Sequence, residues 1–135
     1  MTPFSLKIAT PDGIRFDGQA QQLNVRTTTG DVAILARHVN YVAPLGMGEA
    51  SILVDGEKRY GACIGGMVSV VDGAATLVAT TFEWAGDIDL ARAEASEKRA
   101  QQVLETKNAT DLELDLAEAR LKRALIRKTV ATRKY

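Results

Sequence analysis

Cysteine and histidine each occur once in the 135 residues, at Cys63 and His38. A lone cysteine cannot close a disulfide within the chain, so the sequence fits a reducing compartment and the thiol reads as a small buried hydrophobe. A single histidine, with no second histidine or cysteine at ligand spacing, leaves too few parts for a zinc site or a Ser-His-Asp arrangement. An excess of either charge is missing too. Lys and Arg number 17, as do Asp and Glu, so no net field draws the chain to nucleic acid or to an anionic membrane. No apolar run approaches the length that crosses a bilayer. Met1-Thr2-Pro3-Phe4 passes almost at once into strand pattern, without the basic segment and apolar core of a leader peptide, and none is expected. The three prolines all fall in the first half, at strand ends or turns where a missing N–H does least harm.

What is present divides at Gly86-Asp87-Ile88-Asp89-Leu90-Ala91-Arg92-Ala93, where the side-chain period changes. Before it, short apolar runs alternate with turn residues. Asp55-Gly56 and Asp72-Gly73 sit between such runs and predict two-residue hairpins, pairing Ser51–Val54 with Lys58–Ala62 and Met67–Val71 with Ala74–Ala79. Phe4–Ala9, Gly13–Phe16, Gln21–Thr27, Val32–Leu35 and Val42–Leu45 add further short strands. So many close-set strands predict a β-sandwich or flattened barrel over residues 1–86. Gly65-Gly66 lacks the following Lys-Ser/Thr of a phosphate loop and is expected to be a tight turn or bulge, and Gly46-Met47-Gly48 a turn. The stretch Gly30–Tyr41 mixes apolar and polar residues without clean alternation, which fits an exposed contact loop and a bent edge strand equally.

Residues 87–135 are rich in Ala, Leu, Glu, Lys, Gln and Arg, the residues that lose least freedom in a helix. A first helix is expected from about Ile88 to Leu104, with Asp87 as N-cap and Asp89 in its first turn. Thr110 with Glu113 three residues on is a capping box that starts a second helix near Asp111, running to about Val130. So short a connection makes the pair antiparallel. The first helix offers Ala91, Ala93, Ala95 and Ala100, with Leu90, Val103 and Leu104 as larger groups. Alanine burial stabilises little, so the hairpin is expected to leave the sheet at a cost of a few kcal/mol. After Glu118 the second helix carries no acid, only Arg120, Lys122, Arg123, Arg127, Lys128, Arg133 and Lys134. Arg120, Arg123 and Arg127 share one helical face, and so do Asp89, Arg92 and Arg99. The basic face fits ordinary solvation and dipole complementarity, or an acidic or phosphate-bearing partner. An Asp89–Arg92 ion pair is the simpler expectation on the first helix.

The order and spacing of five segments resemble the epsilon-subunit family of the F-type ATP synthase over essentially the whole chain. They are Thr10-Pro11-Asp12-Gly13, Gly30-Asp31-Val32-Ala33-Ile34-Leu35 followed by His38, Ala43-Pro44-Leu45, Gly65-Gly66, and Ile88-Asp89-Leu90-Ala91-Arg92-Ala93. The last matches an Ile/Leu-Asp-x-x-Arg-Ala signature that binds ATP in some bacterial members. The resemblance implies an α+β protein, a non-catalytic rotor subunit with a sandwich on the gamma subunit and the c-ring. Its hairpin either folds back or extends toward the catalytic beta subunit to inhibit ATP hydrolysis. It implies no obligatory cofactor and ATP as a regulatory ligand, bound by Glu83, Ile88, Asp89, Arg92, Arg99, Arg123 and Arg127. Gly30, Asp31, Arg37, His38 and Val39 correspond to the c-ring contact, although Ala36-Arg37-His38-Val39-Asn40 stands where the family usually has Pro-Gly-His-Ala-Pro. Arg120, Lys122, Arg123, Arg127 and Lys128 correspond to the beta-subunit contact. The implied location is the cytoplasmic face of a bacterial inner membrane, or the stromal thylakoid face if plastid-encoded, reached only through the complex. The competing readings are a stand-alone ligand-binding sandwich with a helical lid and, with no nucleophile–base pair or metal cluster, an enzyme last.

Overall fold

The computed structural model describes residues 1–133; Lys134, counted above with the basic residues of the second helix, lies outside the described residues. Among these residues the chain forms eight strands: β1 (Phe4–Thr10), β2 (Gly13–Ala20), β3 (Gln22–Thr27), β4 (Gly30–Ile34), β5 (Tyr41–Pro44), β6 (Met47–Val54), β7 (Glu57–Val71) and β8 (Ala74–Trp84). A 3-10 turn at Ala85–Asp87 leads to α1 (Leu90–Glu105) and α2 (Asp111–Ala131). The sheet order is β2-β1-β8-β7-β6-β3-β4, with β5 also on β7. β1 lies parallel to β8, and the other pairings are antiparallel. This is the expected α+β architecture, a sandwich followed by an antiparallel helical pair.

Period-two burial makes the sandwich. In β1, Phe4, Leu6 and Ile8 are buried while Ser5 and Lys7 between them are exposed. These three join Leu23, Val25, Ile34, Ile52, Val68, Val70, Leu77 and Phe82 in one core, so strands from across the sheet enclose a common interior. Each such side chain contributes about 1.5–3 kcal/mol when fully buried. Cys63 lies in the same core, and burial pushes its thiol up to about 12. The two Asp-Gly turns have positive φ at both residues, 51° and 81° at Asp55 and Gly56, 49° and 80° at Asp72 and Gly73. That backbone twist closes the predicted hairpins.

Two glycine pairs behave differently from expectation. β7 runs unbroken through Gly65 and Gly66, and Gly46-Met47-Gly48 is no turn. β5 and β6 lie along β7 in one register, joined where Leu45 N–H donates to Gly66 O at 2.8 Å and Gly65 N–H donates to Gly46 O at 3.1 Å. The glycines serve close approach. Gly66 has φ 112°, and a Cβ there would strike the Val78 carbonyl; a Cβ on Gly48 would stand 2.9 Å from that of Arg26.

The first helix starts two residues later than expected, and Asp89, not Asp87, is its N-cap. Ile88 is held extended and half-buried against the cluster of Ala62, Ala85 and Val130. That burial consumes the residue the pattern had given to the helix. At α2, Thr110 Oγ1 accepts from Glu113 N–H at 3.2 Å, as the capping box requires, while the Glu113 carboxylate meets the Thr110 hydroxyl instead of a backbone N–H. Ala93 and Ala100 of α1 and Ala117 and Ala124 of α2 are buried, but Ala91 and Ala95 are exposed. The alanine seam therefore joins helix to helix. Docking on the sheet falls to α2, whose Val130 and Ile126 meet Ala62, Ala85 and Tyr60. Ion pairs Arg127–Glu83 at 2.6 Å and Arg133–Glu49 at 3.0 Å flank that small apolar contact.

Candidate functional site

The end of β8, the 3-10 turn and both helices converge on one cavity of about 520 Å³. The strand end is fixed from several sides. Trp84 Nε1 donates to Arg15 O at 3.1 Å, the Arg59 guanidinium lies 4.0 Å from the Trp84 ring centre, and Phe82 meets that ring edge-on. Glu83 is thereby aimed at the hairpin, where its carboxylate accepts from Arg127 Nε. Asp89 Oδ1 accepts from the Arg92 backbone N–H at 3.0 Å, so this carboxylate caps α1, and among the described residues no Asp89–Arg92 ion pair replaces the cap.

Glu83, Ile88, Asp89, Arg92, Arg99 and Arg127 all line this cavity. Arg123 does not. It lines an adjoining groove of about 780 Å³ between the helices, together with Arg99, Arg120 and Arg127. The cavity also takes Thr10, Asp12 and Arg15 from the first hairpin, Thr81 from β8, and Asp87 and Ser96, residues that nothing in the sequence marks for the site. The parallel pairing of β1 with β8 brings the Thr10–Gly13 turn beside the end of β8, a neighbourhood that no local pattern announces. The Thr81 hydroxyl is buried without a hydrogen-bond partner among the described residues, a polar group left over at the cavity wall. Acidic groups at the hinge and guanidinium groups from both helices give the cavity the chemistry of a base-plus-phosphate ligand: acceptors for an exocyclic amine, donors for an anion.

The other candidate residues are placed as follows. Gly30 and Asp31 open the edge strand β4, and Asp31 is held by Arg26 in a two-pronged pair at 3.0 and 3.1 Å, which raises the Arg26 pKa through hydrogen bonding and then charge. Arg37, His38 and Val39 lie beyond the other end of β4. Arg37 has φ 64°, His38 Nδ1 lies 2.8 Å from Val39 O, and Val39 is 74% exposed. Asn40 Oδ1 accepts from Asp72 N–H, which anchors this loop to the β7–β8 turn, the end of that ribbon remote from the hairpin. The stretch is thus an edge strand followed by an exposed loop, and its two ends line different cavities. The basic residues of α2 also divide. Arg120, Arg123 and Arg127 share the interhelical groove, Lys122 faces a cleft with Asp31 and Glu49, and Lys128 bonds Glu97 at 2.7 Å. Its ammonium is raised by the Glu97 hydrogen bond, opposed by desolvation, with the charges of Glu97 and Glu94 adding to the rise.

Comparison with known proteins covers both parts of the chain. Residues 3–85 match the family described as ATP synthase, Delta/Epsilon chain, beta-sandwich domain, and residues 87–131 match its long alpha-helix domain. A curated relative, the ATP synthase epsilon chain of Ruminococcus albus, is 42% identical over 135 residues, covering 99% of this chain and all of that one. A chain in the cryo-EM structure of the Euglena gracilis mitochondrial ATP synthase, OSCP/F1/c-ring in rotational state 1, superposes with a TM-score of 0.84 at 17% identity, over 96% of this chain and 81% of that chain. A chain from the central stalk/c-ring of the Tetrahymena thermophila mitochondrial ATP synthase gives 0.61 at 16% identity, over 94% and 95%. At such identities these two establish the fold alone.

Proposed function

The chain belongs to the delta/epsilon chain family of the ATP synthase, and from that premise we propose that it is a non-catalytic rotor subunit whose hairpin is a nucleotide-sensitive latch. The sandwich, residues 1–86, docks on the gamma subunit and the c-ring, with Gly30, Asp31 and Arg37–Val39 toward the ring. The hairpin, residues 87–135, closes on the sandwich or extends toward a catalytic beta subunit, to which Arg120, Lys122, Arg123, Arg127 and Lys128 are offered. The protein reaches the cytoplasmic face of a bacterial inner membrane, or the stromal thylakoid face, through that complex.

One observation carries the latch. The cavity is assembled from the end of β8, the hinge and both helices together, so it exists as a site only while the hairpin is closed. ATP bound there favours the closed form by its differential affinity for the two forms. Glu83 and the hinge carboxylates face the adenine amine, and Arg92, Arg99 and Arg127 face the phosphates. Arg123, in the adjoining groove, reaches only the far end of the phosphate chain. Opening is within reach of a ligand, because among the described residues docking rests on Val130 at about 1.5–3 kcal/mol, the half-buried Ile126 and two partly exposed ion pairs of at most about 1 kcal/mol each.

The test is titration of the purified chain with ATP while hydrogen exchange reports on α2. Protection should rise with nucleotide, and Arg92→Ala should weaken binding by about 1.5–3 kcal/mol. Exchange indifferent to millimolar ATP would end the latch proposal. Co-purification with gamma separates the rotor reading from a stand-alone ligand-binding module.

A further inference from the structure

Apart from Arg123, the groove between α1 and α2 takes no part in the latch. It is continuous with the hinge cavity, since Ser96, Arg99 and Arg127 line both. Its charge is one-sided. Arg99, Arg120, Arg123 and Arg127 face it against the single carboxylate of Glu113, and among the described residues Arg99, Arg120 and Arg123 form no ion pair. The hinge cavity is balanced instead, with the carboxylates of Asp12, Glu83, Asp87 and Asp89 close to the sheet. Arg99, Arg120 and Arg123 thus bring guanidinium donors to one groove with none committed to a carboxylate, open to an anion placed among them.

We propose that the groove is a second anion site continuous with the first, and that it takes the distal phosphates of a nucleotide whose chain is longer than three. The proposal rests on the hinge cavity being a nucleotide site. The carboxylates at the sheet end repel phosphate, so a bound nucleotide lies with its base there and its phosphates toward Arg99 and Arg127. That end is where the groove begins. Phosphates beyond the third pass between Arg123 and Arg120, which stand one helical turn apart on α2. The groove floor of Ala100, Val103, Leu116 and Ala117 is apolar, with Leu116 47% exposed, and suits a second base at the end of the chain. The ligand class is therefore a nucleoside tetraphosphate or a dinucleoside polyphosphate, sharing the long phosphate chain.

Calorimetric titration of the full chain with ATP, adenosine 5′-tetraphosphate and diadenosine tetraphosphate tests this. The tetraphosphate is expected to bind about tenfold more tightly than ATP, one added charge-assisted contact. Arg120→Gln should bring that ratio close to one. A further gain for the diadenosine compound, lost in Leu116→Asp, would identify the dinucleotide as the ligand; no further gain leaves the mononucleotide. Equal affinity for ATP and the tetraphosphate, or a ratio untouched by Arg120→Gln, overturns the groove site and leaves the hinge site standing. Failure of ATP to bind, with or without binding of the tetraphosphate, would remove the hinge reading and this proposal with it.

Discussion

Arg127 illustrates how much rests on single residues. Its Nε is 2.6 Å from Glu83 Oε1, with the two side chains 29% and 34% exposed, so the pair stands between a solvated surface bridge and a buried one. Glu83→Gln should weaken hairpin docking by about 1 kcal/mol and raise exchange in α2 about fivefold; unchanged exchange would show the pair to be idle. The other end of the scale is Cys63, 2% exposed, whose thiol burial pushes to about 12 from an ordinary 9.0. A folded-state pKa above the unfolded one gives stability that is whole below about 9 and is lost as pH rises toward 12. At pH 10 the loss from this group is on the order of 1 kcal/mol, while Lys128, also raised, begins to lose its share only above its ordinary 10.5. Urea midpoints at pH 7 and 10 measure it, and Cys63→Ala should flatten the difference. A lone cysteine in an apolar run was legible as core; which carboxylate met which arginine was not, because Glu83 and Arg127 are 44 residues apart.

At the level of elements, the hairpins and helices could be read locally and the role of the glycine pair in β7 could not. Asp-Gly between apolar runs has a short-range cause, positive φ at two successive residues, and both hairpins form as expected. Gly65-Gly66 has a long-range one. The strand continues through both residues because β8 on one side and the β5–β6 line on the other hold it, and only the absence of a side chain lets the Val78 carbonyl approach. Gly66→Ala should therefore cost about 3 kcal/mol or more by combined strain and collision, read from chemical denaturation. A stability within 1 kcal/mol of the unaltered chain would mean that the strand shifts to admit the added methyl. The start of α1 carries the same lesson. The pattern points to Asp87 as the cap, and the burial of Ile88 passes that place to Asp89.

For the whole molecule, the large core inside the sandwich contrasts with the small cluster under the hairpin. Two parts of such unequal attachment should respond separately. Val130→Ala removes two buried methyl groups, about 1.6 kcal/mol, from the hairpin contact alone. It should raise the radius of gyration in solution scattering while leaving the denaturation midpoint of the sandwich within error. A matching fall in that midpoint would instead make hairpin and sandwich one cooperative unit. The basic residues belong to this scale as well. On the helix they form a run, but in the fold Lys128 is tied to Glu97 and Lys122 turned toward the sheet, so only Arg120, Arg123 and Arg127 present a common surface.

The sequence by itself determined the two-part plan, the two Asp-Gly hairpins, the antiparallel helical pair and the family, since each depends on periodicity, caps or segment order within a short span. The tertiary structure decided that α2 rather than α1 meets the sheet, that Thr10, Asp12, Arg15 and Thr81 join the hinge, and that Arg123 falls in the neighbouring groove. Those outcomes depend on which distant segments the closing of the core forces together, and a pattern confined to neighbouring residues holds no record of that.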